Sequence, residues 1–95
     1  MADFNMLDSV KESIGLSGND FHDGVLRQHI DEATQYLIDG GVPEAIATSE
    51  KCKGVIARGV SDLWNNGSGG TDLSPYFMRR AAQLALKWSV HNEQT

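Results

Sequence analysis

The sequence predicts an all-α fold, and three observations carry that expectation. Between Cys52 and Trp64 the residues Cys52, Val55, Ile56, Gly59, Val60, Leu63 and Trp64 recur in steps of three and four, the spacing of one helix face. Helix starts are marked at Asn5 and Ser74-Pro75, and helix stops at Gly15 and Gly40-Gly41. No stretch alternates apolar and polar residues as a half-buried strand does. With 95 residues, 40% hydrophobic and 22% charged, the chain reads as one globular domain with a modest core. The expected architecture is a compact bundle of about four helices, with a flexible Gly-rich loop before the last.

The first helix is expected from about Met6 to Ile14. Leu7, Val10 and Ile14 share one face, Asn5 is placed to cap the free N–H groups, and Asp8 lies near the positive end of the helix dipole. Gly15 supplies the left-handed residue that closes it. A second start falls at Asp20, read as an N-cap with Asp23 three residues on. Phe21, Val25, Ile30, Ala33 and Leu37 then trace its apolar stripe, with Leu26 beside it and Asp31, Glu32, Gln35 and Asp39 facing out. Gly40-Gly41 stops this helix, and Val42-Pro43 blocks simple continuation. Pro43 to Ile46 reads as one short helical turn.

The third helix begins near Ser49 and carries the widest stripe, so it is expected at the centre. Gly54 and Gly59 lie inside it, each costing about 1 kcal/mol relative to Ala. Gly59 lies on the stripe, where a missing side chain lets another helix approach closely. The fourth helix opens with Ser74 as N-cap and Pro75 at the first helical position, where its missing N–H costs nothing. Phe77, Met78, Ala81, Ala82, Ala85 and Trp88 are its expected buried face. The residues from His91 to Thr95 carry no apolar anchor and are expected to fray.

Between the third and fourth helices lies Asn65-Asn66-Gly67-Ser68-Gly69-Gly70. Nothing in it buries appreciable apolar surface, and each glycine loses extra backbone entropy if ordered. Folding gains little from such a segment, so it is expected to be mobile in the free chain and ordered by a neighbour.

Charge narrows the function classes. Residues 1–48 hold nine acids against Lys11 and Arg27, a balance of −7. Residues 49–95 hold four acids against six bases, a balance of +2. A net charge of −5 disfavours a free-standing DNA binder, which needs a dense basic face. Arg79-Arg80 is the dense positive spot, suited to a phosphate or to a partner's acidic surface. The apolar runs are too short to span a bilayer, and MADFNML lacks the basic-then-apolar order of a secretory signal. The lone Cys52 lies on the apolar stripe and reads as a buried thiol in a reducing compartment.

Catalytic constellations are weak. Gly67-Ser68-Gly69-Gly70 lacks the following lysine and the preceding strand of a phosphate-binding loop. His22 and His29 share a helix face but stand seven residues apart, about 10 Å by helical rise, too far for one metal ion. His29 and Glu32 pair better, yet two ligands make no site. Neither a cofactor nor a metal is expected.

The order of these features resembles one family. VKESIGL closes the first helix, DGVLRQHIDEATQYLIDGG forms the second, KGVIARGVSDLWNNGSGG the third with its loop, and LSPYFMRRAAQLAL the fourth. This is similar to the small head–tail connector (head-completion adaptor) proteins of tailed bacteriophages and their prophage remnants. The matching positions are Val10, Lys11 and Ile14-Gly15-Leu16, then Asp62-Leu63-Trp64, then Ser74-Pro75-Tyr76-Phe77. They span about residues 7–86. The glycine-rich loop and the polar extension over residues 87–95 depart from the family pattern.

The resemblance implies a non-enzymatic virion protein of the head–tail junction, assembled in the bacterial host cytoplasm. It would form a homo-oligomeric ring under the portal protein, extend the DNA channel without binding DNA specifically, and offer a platform to tail-completion proteins. Asn65, Asn66, Gly67, Ser68, Gly69, Gly70, Arg79 and Arg80 are the residues expected at protein interfaces. Two alternatives stay open: a small helical DNA-binding regulator using Arg79 and Arg80 on phosphates, and a small metal-dependent enzyme.

Overall fold

Asn5 opens the first helix by side-chain capping, its Oδ1 accepting the Asp8 amide at 3.3 Å. The computed structural model describes residues 5–66 and 73–93. Within them the helices are α1 (Met6–Ser13), α2 (Asp23–Asp39), the short α3 (Glu44–Ala47), α4 (Lys53–Asn66) and α5 (Pro75–Glu93), with a 3₁₀ turn at Glu50–Cys52. No strand occurs among the described residues. The Cα radius of gyration, 13.4 Å, is that of a compact chain of this length, near 13 Å for about 100 residues. The fold is an all-α bundle.

Two helix ends close by the same device. After α1, Gly15 takes φ of 80°, the Leu16 amide donates to the Lys11 carbonyl at 2.8 Å, and the Gly15 amide donates to that of Glu12 at 3.4 Å. After α2, Gly41 takes φ of 117°, with Val42 donating to Leu37 at 2.9 Å and Gly41 to Ile38 at 3.0 Å. Both are the paired bonds of a left-handed helix cap. Each turns the chain so that the residue after the glycine, Leu16 or Val42, packs on the core.

α4 is central, as its stripe predicts. Cys52, Val55, Ile56, Val60 and Leu63 are buried, and α4 packs against α1, α2 and α5. α1 contributes Leu7 and Val10, and α2 contributes Leu26, Ala33 and Leu37. α5 docks through Phe77, which is fully buried. Gly59 admits it: a Cβ there would lie 2.6 Å from Phe77 Cε2 and 3.1 Å from Ala33 Cβ. The close approach read from Gly59 is therefore real, and Phe77 is the side chain that exploits it.

Several expectations need correction. α2 begins at Asp23, not beside Asp20, and its N-cap position is His22, which makes no side-chain cap. The Asp20 carboxylate is drawn instead to Lys11. Phe21 is 87% exposed and Val25 45%, so the buried stripe of α2 runs through Leu26 rather than through them. On α5, Met78 and Ala82 face solvent, whereas Leu84 is buried. The inward face is Phe77, Ala81, Leu84 and Trp88, a slightly rotated stripe. The backbone of α5 continues in helical form through His91 to Glu93.

Two glycine substitutions in α4 are expected to act in opposite directions. Gly54 is exposed with open space at its Cβ position, so Gly54→Ala should stabilise by about 1 kcal/mol through helix propensity alone. Gly59→Ala forces a methyl into the buried Phe77 ring and should destabilise by about 1–3 kcal/mol despite the same propensity gain. Urea unfolding midpoints of the two variants check the pair.

Candidate functional site

The segments flanking the Gly-rich stretch meet in space. At the end of α4 successive residues point about 100° apart, and Asp62, Leu63 and Trp64 do three different things. Leu63 enters the core at 1% exposure. Trp64 packs edge-on against the His22 ring, centroids 4.9 Å apart, and His22 packs edge-on against Phe21 at the same distance. Asp62 turns to the start of α5, where its Oδ2 accepts the Ser74 amide at 3.0 Å. Ser74 Oγ in turn accepts the Phe77 amide at 3.1 Å, the N-cap bond expected of it.

Arg58 completes this junction. Its Nε donates to Asp62 Oδ1 at 3.1 Å, and its guanidinium lies over the Tyr76 ring, 4.7 Å from the centroid. Burial alone would raise the Asp62 carboxyl. The Ser74 hydroxyl and amide, together with Arg58, outweigh it and hold the carboxyl below its ordinary value. The two phrases Asp62-Leu63-Trp64 and Ser74-Pro75-Tyr76-Phe77 thus form one hydrogen-bonded junction. Asp62 and Arg58 were not picked out in the sequence as site residues, although an Arg–Asp pair at i, i+4 is a readable signal.

A second polar constellation ties α1 to the start of α2. Lys11 is 5% exposed, and its Nζ lies 2.7 Å from Asp20 Oδ1 and 2.9 Å from Asp23 Oδ1. Asp20 and then Asp23 raise the Lys11 pKa, and Lys11 lowers that of Asp20. The contact to Asp23 is ionic without hydrogen-bond alignment. Lys11 stands at i+4 from Leu7, on the apolar face itself, which is the signal that its charge is carried inward.

The expected interface residues are placed unevenly. Asn65 is exposed at the end of α4, its Nδ2 donating to Ser61 Oγ at 3.2 Å, and Asn66 is the last residue of α4. Gly67, Ser68, Gly69 and Gly70 lie outside the described residues. Arg79 is exposed on α5. Arg80 is half-buried, donates to Gln83 Oε1 at 2.7 Å, and its positive charge opposes the burial that raises the Cys52 thiol pKa. Cys52 is a buried free thiol.

Among the described residues no group of three or more His, Cys, Asp or Glu side chains is placed to hold a metal ion. His29 Nδ1 is buried without a hydrogen-bond partner there, and His29 belongs to no such group of three. No described helix is long and apolar enough to cross a membrane. Comparison with known families, curated proteins and solved structures finds no match to this chain.

The junction sets a pH dependence. Because the Asp62 pKa is lowered by folding, its stabilisation is complete at neutral pH and is lost as pH falls through and below the ordinary value of 3.8. Asp62→Ala should cost about 1–3 kcal/mol at pH 7, by stripping the Ser74 amide and Arg58 of their acceptor. The loss should shrink on acidification, which denaturant titrations at pH 7 and pH 3 would reveal.

Proposed function

We propose that this chain is a head–tail connector of a tailed bacteriophage or prophage, a structural subunit that joins copies of itself in a ring under the portal protein. The ring extends the DNA channel and carries tail-completion proteins, and the subunit works in the virion after assembly in the host cytoplasm. The observation that supports this reading best is the junction at the Gly-rich stretch. The two phrases on which the family resemblance rests, separate in sequence, are hydrogen-bonded to each other through Asp62 and Ser74. That arrangement gives residues 67–72 a fixed base, as a segment ordered by a neighbouring subunit requires. The −7 balance over residues 1–48 suits a channel wall that passes DNA without holding it, and it counts against the DNA-binding regulator.

Binding to purified portal-containing heads tests the reading. The chain should fill saturable, equivalent sites on heads that lack it; failure to bind at any salt concentration would overturn the proposal. Reversing both Arg79 and Arg80 to Glu should leave helix content by circular dichroism unchanged. An exposed charge such as Arg79 is worth about 0–1 kcal/mol, and half-buried Arg80 adds to it, but the reversal repeats in every subunit contact. Filling of heads should therefore weaken, more at low salt than at high. Unchanged occupancy at low salt would remove these two arginines from the interface.

A further inference from the structure

We propose that α1 is an acid-released arm, held to the start of α2 by the buried Lys11 ammonium while Asp20 and Asp23 are ionised, and freed from the bundle when both are protonated. Lys11 is the one charged residue buried among the described residues, at 5% exposure. Its Nζ lies 2.7 Å from Asp20 Oδ1 and 2.9 Å from Asp23 Oδ1. Both carboxylates lie beyond the end of α1, so the two contacts bridge the connection from α1 to α2. The Lys11 carbonyl accepts the Leu16 amide at 2.8 Å, so the residue whose side chain fastens α1 also closes it.

Taking a charge out of water is unfavourable unless a counter-charge meets it, and breaking such a pair from one side leaves the other charge buried and uncompensated. Neutral carboxyls at positions 20 and 23 would leave the ammonium in that state, and in acid it keeps its proton. It must then reach water. Its side chain lies on the face of α1 that carries Leu7 and Val10, so reaching water lifts that face. α1 has little to resist with: its eight residues bury only Leu7 and Val10 besides Lys11, and a helix of that length does not stand alone. α2 and α4 pack directly on each other and on α5, so a core remains when α1 leaves.

The charges around Lys11 come from two elements and the turn between them. On α1, Asp8 and Glu12 line the polar cavity of about 450 Å³ that Lys11 shares with Asp20. On α2, Asp23 meets the ammonium, His22 before it sets its ring between Phe21 and Trp64, and Arg27 lines a separate groove at the start of α1. On α4, Arg58 and Asp62 pair with each other and Lys53 is exposed. Asp20 gives the direction of the response. The Lys11 bond, then its charge, holds the Asp20 carboxyl below the ordinary 3.8, so its contribution is complete at neutral pH and is lost as pH falls through and below that value.

Amide hydrogen exchange on the free protein, read as protection relative to an unstructured chain at the same pH, tests the latch. From pH 7 to pH 3 the α1 amides should lose protection by about tenfold or more relative to those of α2 and α4. At pH 7, Asp20→Asn combined with Asp23→Asn should reproduce that loss. Adding Lys11→Met, which replaces the buried charge with an apolar side chain of similar volume, should restore α1. Lys11→Met alone should keep α1 protected at both pH values. The variants at pH 7 separate this latch from the Asp62 junction, whose acid response falls on α5. Three results would each overturn the proposal: every helix losing protection together, α1 staying protected at pH 3 because Lys11 swings out to water alone, or Lys11→Met failing to restore the doubly substituted chain.

Discussion

The placement of α5 depends on one steric constraint: the Phe77 ring occupies the space that any side chain at position 59 would fill. This notch is cut by two small residues, Gly59 on α4 and Ala33 on α2, so it exists only once those two helices are packed. Phe77 then fills it, with the Tyr36 ring edge-on at 5.5 Å. Three turns of logic follow. Glycine is kept inside a helix that would otherwise be better off with alanine. The first turn of α5 must lie beside α4. Asp62, one turn beyond Gly59, is then in reach of the Ser74 amide, so a polar bond and a packing contact set the same register.

Much of this was legible in the sequence because it is local. The stripe from Cys52 to Leu63, the Asn5 and Ser74 caps, and the glycine stops after α1 and α2 all depend on residues within one or two turns, and all are present as read. What was misread depends on neighbours. Phe21 and Val25 extend the apolar pattern of α2 but stay exposed, and Leu26 beside them is the residue that is buried. Met78 and Ala82 are as apolar as Ala81 and Leu84, and only the seating of Phe77 decides which pair turns inward. Asp20 looks like a cap because caps are local; it is claimed by Lys11, nine residues earlier, across a loop whose path no periodicity describes.

The candidate site divides the same way. The phrases Asp62-Leu63-Trp64 and Ser74-Pro75-Tyr76-Phe77 were visible, and their importance was argued from resemblance. That they touch, through a carboxylate that serves an amide, a hydroxyl and a guanidinium together, required the fold. The proposed role in a ring draws on this geometry in a particular way. A subunit that must present a glycine-rich segment to a neighbour needs its two ends held by something other than the segment itself, and the Asp62 junction supplies that.

Amide hydrogen exchange in a Phe77→Ala variant tests the central claim most directly. If Phe77 in the Gly59 notch is what docks α5, its removal should release α5, with the Ser74 and Phe77-position amides losing protection together. The amides of α1, α2 and α4, which pack mainly on one another, should keep most of theirs. If α5 remains as protected as in the parent chain, the notch is not what holds it, and the account of how this fold is assembled is wrong.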